Sequence, residues 1–392
     1  MRAALISISR QPRHGETGQT LAIAGRSLAE RQLGFALAAG CRKIIGLGEG
    51  ASPEAIALRH AAEGAGARFQ TIRGSHGLLG AVRAADELLV LSPGLLAEEP
   101  EALTAFEKGG TVLTLSSGPG VAAGFERIDL ERAWAGALIL PGGLVERLAD
   151  LPDDSDPHAA LLRIALQARV PEKRLSDALL GEASWALIDD DDDAQALEES
   201  WLKSHLPVEK RFAATGRLAG IILRHSAAKL LSFSNALPAI LGTVPLLLLA
   251  ALAIAWQISP AAGLPLVAIA AFLSSFARGL AHLKAAPFVF ERARFDLLGV
   301  LPWLVDLALV GCGALAIGGT WQNALFPPLM LVGALRATRI ARRRDWPALL
   351  GDRALLALAF SLAAAFGLAE AGVMLAGLLI VAMGAIAAQR QA

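Results

Sequence analysis

Two carboxylates and a group of cations carry the chemistry that the C-terminal half of this chain can offer. Arg278, His282, Lys284, Arg292 and Arg294 fall between two long apolar stretches. Gathered at the mouth of a helical bundle, such side chains hold an anionic headgroup or a nucleotide through charge-assisted hydrogen bonds. The same residues also act simply as the charge that keeps a connection on the cytoplasmic side of a membrane. Asp306 lies inside an otherwise apolar stretch, where an ionised carboxylate is costly, so it is a functional candidate by default. An ion pair with Arg278 or Arg294 would offset that cost. Asp296, just ahead of the same stretch, is the second candidate for acid–base or metal chemistry.

Other polar residues offer less. Asp189 to Asp193 are consecutive and cannot all face one ion, so they fit a solvated turn or a helix N-terminus better than a metal site. His14 and His76 sit in glycine-flanked segments typical of loops. Ser27 with Glu30 forms the pattern of a helix capping box. The segment GLGEG, residues 46–50, follows a strand, but its spacing is not that of a dinucleotide fingerprint. Cys41 and Cys312 are the two cysteines, too few and too far apart for a disulfide framework or a thiolate metal cluster.

These residues must be positioned by two different kinds of domain. The hydrophobic fraction is 54% and the mean hydropathy +0.51, too high for one soluble globule. The 36 basic and 36 acidic residues cancel, so no global field steers the chain toward nucleic acid. From residue 233 onward, apolar blocks near the length of a bilayer span alternate with short polar breaks. Their spacing predicts six helices, at 236–256, 262–283, 297–318, 324–340, 349–369 and 371–388. The fourth is the least regular, with Pro327 and Pro328 interrupting its start. Lysine and arginine crowd the connections after the second and fourth helices (Arg342, Arg343, Arg344 and Arg353 in the latter), while QISPAAG, GGTWQN and AEAG carry none. That bias places both termini in the cytoplasm, at the inner membrane. The start, MRAALISISRQPRHGETG, has too short an apolar run for a signal peptide, which agrees.

Residues 1–190 alternate short aliphatic runs with alanine-rich helical stretches. Strands are expected at 3–9, 43–48, 67–72, 87–92, 111–116, 136–142 and 185–189, which predicts an α/β domain with a mainly parallel sheet. Residues 191–232 form a linker: the acidic run, then a helix with Lys203, Lys210, Arg211, Arg217, Arg224 and Lys229 among apolar residues. That mixture suits a helix lying on the membrane surface, or a solvated linker helix.

The order of α/β domain, juxtamembrane amphipathic helix and six membrane helices resembles the fused nucleotidyltransferase and CDP-alcohol phosphotransferase proteins. In the first half, TLAIAGRSLAERQLGFALAAGCRKIIGL is similar to the segment after the signature loop of sugar-phosphate nucleotidyltransferases. The loop itself differs: ISRQPRHGETGQT stands where a phosphate cradle is expected, Gln19 is near the place of its lysine, and Ser92 and Pro93 replace a metal-binding aspartate. In the second half, the family signature is Asp-x2-Asp-Gly-x2-Ala-Arg-x8-Gly-x3-Asp-x3-Asp, whose carboxylates hold divalent metal. Aligning AHLK on that motif puts Ser274, Ala277, Phe295 and Gly299 at the four aspartates, Arg278 and Glu291 at the two glycines and His282 at the arginine. A shift of one residue recovers only Asp296, and one carboxylate does not replace four around a divalent ion.

The resemblance therefore implies a noncatalytic membrane protein of phospholipid or polar-headgroup metabolism, a pseudoenzyme with no cofactor. Its ligands would be a membrane lipid, a CDP-alcohol or a nucleotide. Its protein partners would be a second copy of itself, through the membrane helices, or an active enzyme. Two alternatives stand beside it: a transferase of phospholipid or glycolipid synthesis with a relocated site around Asp296 and Asp306, using Mg2+ or Mn2+, and a lipid transporter. The scarcity of intramembrane polar residues besides Asp306 counts against the transporter.

Overall fold

The computed structural model describes residues 1–8, 21–181, 183–205, 214–233, 235–284, 297–340 and 351–389, which divide into two compact units, one ending at His205 and one made of the helices beyond it.

The first unit is built on one seven-stranded sheet. Its strands are β1 (Arg2–Ser7), β2 (Lys43–Leu47), β3 (Arg68–Ile72), β4 (Glu87–Leu91), β5 (Thr111–Ser116), β6 (Arg132–Pro141) and β7 (Glu172–Arg174). They lie in the order β7-β5-β6-β4-β1-β2-β3. All neighbours pair in parallel except β6, which runs antiparallel to both β4 and β5. The central strands are nearly continuous apolar runs because both faces are covered, as Ala3 to Ile6 and Leu88 to Leu91 show. One face packs Phe35, Leu58, Phe106 and Trp185; the other packs Leu78, Leu148 and Leu161.

Chain order reverses between β1 and β4. From β1 the chain winds outward to β3, then returns to place β4 on the other side of β1. In an open parallel sheet, the crevice beyond the strands' carboxyl ends at such a point is where ligands bind. Helix α1 (Leu28–Ala38) begins with the expected capping box, Ser27 accepting from the Glu30 N–H and Glu30 returning a bond to the Ser27 N–H. Ser52 caps α2 (Pro53–Gly64) and Asp156 caps α3 (Pro157–Gln167), each ahead of a proline in the first turn. The acidic run opens α4 (Asp191–His205), with Asp190 Oδ1 accepting from the Asp193 N–H.

Three sequence expectations need adjustment. Strand β7 was not foreseen: its residues Glu172, Lys173 and Arg174 are all exposed at a sheet edge and carry no apolar pattern. Strand β6 starts at Arg132, four residues ahead of the stretch expected from 136, with Gly136 at φ 80° inside it. The expected strand at 185 is outside the main sheet, where Trp185–Leu187 pairs antiparallel with Leu95–Ala97.

The second unit is helical: α5 (Ala214–Ser232), α6 (Ala236–Gln257), α7 (Pro260–Lys284), α8 (Leu297–Ile317), α9 (Trp321–Ile340), α10 (Arg353–Ala365) and α11 (Ala369–Gln389). Apolar helices stand at the six expected places. Three of them, α6, α7 and α8, are long and apolar enough to cross a membrane. Pro327 and Pro328 lie within α9 rather than at its start, because that helix already begins at Trp321.

Small residues let these helices approach closely. A Cβ on Gly263 of α7 would come within 2.5 Å of the Ala251 carbonyl of α6, and one on Gly313 of α8 within 3.2 Å of Pro328 on α9. Helix α5 buries Thr215, Ala219 and Leu223, one stripe at i, i+4 and i+8, and packs on α7 with Leu223 over Gly279. Its other side exposes Leu218, Ile221 and Ile222.

Candidate functional site

Asp306 lies near the middle of α8, where nine-residue stretches on either side contain no other charge. The side chain is only 3% exposed. A buried carboxylate requires charged or strongly donating partners, and α9 and α10 supply them. Arg353, the first residue of α10, places Nε 3.0 Å from Asp306 Oδ1 and Nη2 3.3 Å from Oδ2. Arg336, in the last turns of α9, places Nη2 2.6 Å from Oδ2. Sequence reasoning had named Arg278 or Arg294 as partners. Arg294 lies outside the described residues, and the bonds seen for Arg278 run to the Ser274 carbonyl and Ser275 Oγ on its own helix.

The two arginines are fixed from several directions. The Arg336 guanidinium lies over the Trp303 ring, 3.2 Å from its centroid, and Nη2 also reaches the Pro302 carbonyl at 3.4 Å. Its Nε is buried with no hydrogen-bond partner among the described residues. Arg353 Nη1 donates to the Gly351 carbonyl at 3.0 Å. The preceding residue, Asp352, is the N-cap of α10 and accepts from the N–H groups of Ala354 and Leu355. It also accepts from the Thr215 N–H at 2.8 Å and from Thr215 Oγ1, so it ties α5 to α10. Asp352 is thus turned to a helix N-terminus and to neutral donors, while Asp306 alone faces two guanidinium groups.

No family model and no curated protein matches the chain.

Of the cationic group singled out in the sequence, Arg278 and His282 are exposed and one turn apart on α7. The Lys284 side chain, Arg292, Arg294 and Asp296 fall outside the described residues, as do Phe295, Glu291 and Gln19. The positions aligned on the family's aspartates are apolar or closed: Ala277 is fully buried, and Ser274 is buried with its Oγ unpartnered among the described residues. No group of three or more metal-ligating side chains occurs among the described residues. Both Asp306 oxygens accept from arginine, Oδ1 from Arg353 and Oδ2 from Arg353 and Arg336.

Arg353 was visible in the sequence only as a topology marker, and Arg336 only as a charge near the end of the fourth apolar helix. The signal that could have found them is the rule that a carboxylate in a span needs a cation on a facing helix. With α9 and α10 following α8 in chain order, their terminal arginines are the natural suppliers.

In the α/β unit, β4 is followed directly by Ser92, Pro93 and Gly94. The Gln32 amide donates to the Ser92 and Leu95 carbonyls at 2.9 Å each. Backbone carbonyls and a serine in that place do not form the carboxylate ligand set of a nucleotidyltransferase.

Proposed function

We propose that this chain is a multi-pass membrane protein of phospholipid or polar-headgroup metabolism, with the plan of a CDP-alcohol phosphotransferase but without its chemistry. It holds a phosphate-bearing headgroup against Arg336 and Arg353. The observation that carries this reading is the arrangement around Asp306: two guanidiniums, both pinned, share a single buried carboxylate. A phosphate oxygen is the ligand that such donors complement best.

The six-span topology with both termini in the cytoplasm is part of the same proposal. It draws support from the aromatic residues at the connections that carry no lysine or arginine. Trp256, Trp321 and Phe366, at the ends of α6, α9 and α10, are all strongly exposed, as interfacial aromatic anchors are. Arg278 and His282 would then widen the cationic mouth on the opposite side. The relocated-site transferase is less well supported, because Asp306 is held between cations.

Binding of phosphatidate against diacylglycerol, followed by native mass spectrometry in detergent, tests the proposal. Phosphatidate should bind preferentially. Replacing both arginines by glutamine should weaken it by tenfold or more, on the order of 1.5–3 kcal/mol for bonds to a charged group. Metal-dependent release of CMP from labelled CDP-alcohols that is lost in Asp306→Asn would overturn the noncatalytic reading. A C-terminal reporter that scores as periplasmic would overturn the topology.

A further inference from the structure

The carboxyl edge of the sheet holds a group of side chains that headgroup binding does not use. Ser7 ends β1 at the point where strand order reverses, and its Oγ lies 3.4 Å from His158 Nε2. His158 is in the first turn of α3 and is 2% exposed, whereas Ser7 is only partly buried. On the other side of the imidazole, Nδ1 is 3.1 Å from Oδ1 of Asp156, the N-cap of the same helix. The carboxylate is itself fixed, since it accepts from the N–H groups of His158 and Ala159. Burial pushes the Asp156 carboxyl up, but the bonds and charge of His158 outweigh it and hold it below the usual carboxylate range. A carboxylate at Nδ1 keeps the proton there and leaves Nε2 as the lone-pair nitrogen facing the hydroxyl.

We propose that Ser7 is a nucleophile, with His158 as its general base and Asp156 orienting the imidazole, and that it acts on an uncharged carboxylic ester. A nucleophile within reach of a base, and a base held by a third group, is the arrangement that activates a serine hydroxyl. The substrate class follows from charge. Among the described residues no lysine or arginine bonds to any of the three, and the carboxylate of Asp156 is their one fixed charge. Phosphoryl transfer needs cations around the transferred group, and among the described residues none is bonded to these three side chains. A neutral ester has no such requirement.

In the first step Ser7 Oγ bonds to the ester carbonyl carbon as its proton passes to His158 Nε2. The bond from that carbon to the alcohol oxygen then breaks, and the alcohol leaves with the proton from His158. Water attacks the acyl-serine carbonyl carbon and gives a proton to His158. The bond to Ser7 Oγ breaks, His158 returns the proton to it, and the carboxylic acid is released.

Full-length protein in detergent is treated with an uncharged alkyl fluorophosphonate, and the adduct is mapped by peptide mass spectrometry. One adduct is expected on Ser7, and none at that position in Ser7→Ala. His158→Gln should slow labelling by about 100-fold or more. Asp156→Asn keeps a good N-cap residue, so it should slow labelling less and change its pH profile. Thermal unfolding establishes that each variant is folded. Absence of an adduct on Ser7 in the folded wild-type protein overturns the proposal. So does labelling of His158→Gln at the wild-type rate, or of Asp156→Asn at the wild-type rate and pH profile should His158→Gln not fold.

Discussion

Each unit of this protein buries a carboxylate against arginine, and the two do it differently. In the α/β unit Glu98 bonds Arg31 through Oε1 and takes the Trp201 indole N–H at 2.6 Å through Oε2. Arg31 lies over the Trp201 ring and donates to the Ile23 carbonyl, so α4 is locked onto α1. In the helical unit Asp306 faces two arginines from two helices. Both groups leave a guanidinium Nε unpartnered among the described residues, so that feature does not separate them. The second arginine does. The Arg31 and Glu98 pair fastens helices together, with Arg26 and Glu198 adding opposite charges nearby; a carboxylate shared by two guanidiniums fastens three helices and carries one more cation than anion in direct contact.

The largest expected effect is on the matched pair. Glu98→Gln leaves Arg31 buried without its countercharge, which costs about 3–5 kcal/mol. Burial already pushes Arg31 below its usual range, and Glu98 opposes that shift. Thermal unfolding of the full chain in detergent should show the loss, and added phosphate should not restore it.

Asp306→Asn should cost less, about 2–3 kcal/mol, because Arg336 retains some exposure and the Trp303 ring. Here a soluble phosphate ester should restore part of the stability by replacing the lost carboxylate, since a ligand that binds only the folded state stabilises it. If the two variants respond alike to phosphate, the distinction between a fastener and a binding site fails.

Much of this contrast was hidden in the sequence, for physical reasons. Helices and strands announce themselves through apolar runs, so α6 to α8 and β1 to β5 lie where local pattern put them, and the Ser27 and Glu30 cap is a purely local signal. Strand β7 had none, because a short charged segment at a sheet edge looks like a loop. The partners of Asp306 are set by which faces of α8, α9 and α10 meet, and a linear sequence with three such helices leaves several cations available. Ser7 and His158 were equally invisible as a pair. They are brought together only by the reversal of strand order, and each alone is an ordinary residue at the end of an element.

A smaller effect is expected at the residue next to Arg353. Asp352→Ala removes the N-cap of α10 and the two bonds from Thr215. A lost cap costs about 1 kcal/mol and the tie to α5 adds to it, for about 1–2 kcal/mol in thermal unfolding. Phosphate should bind this variant nearly as well as the wild type, because Arg336 and Arg353 keep Asp306. A tenfold loss of phosphatidate binding in Asp352→Ala would move the site from the two arginines to the junction of α5 and α10.

The smallest effect should come from a second carboxylate on α4, which sharpens what Glu98 does. Glu198 accepts from the Ala24 N–H at 3.1 Å, and burial pushes its carboxyl up, with that bond only partly opposing the shift. The folded protein therefore binds this proton more tightly than the unfolded chain does. Its ionisation costs stability as pH rises through the carboxylate range, and the cost is fully present above the raised folded value. Glu198→Gln keeps an acceptor for Ala24 and removes the charge. At pH 7 it should be neutral or stabilising by no more than about half a kcal/mol, since solvent screens a half-exposed group. Near pH 4 the difference from wild type should vanish. Two glutamates that contact the same helix assembly would thus respond to one substitution with opposite signs, because Glu98 forms the ion pair with Arg31, whereas burial costs Glu198 more than the nearby Arg31 charge returns.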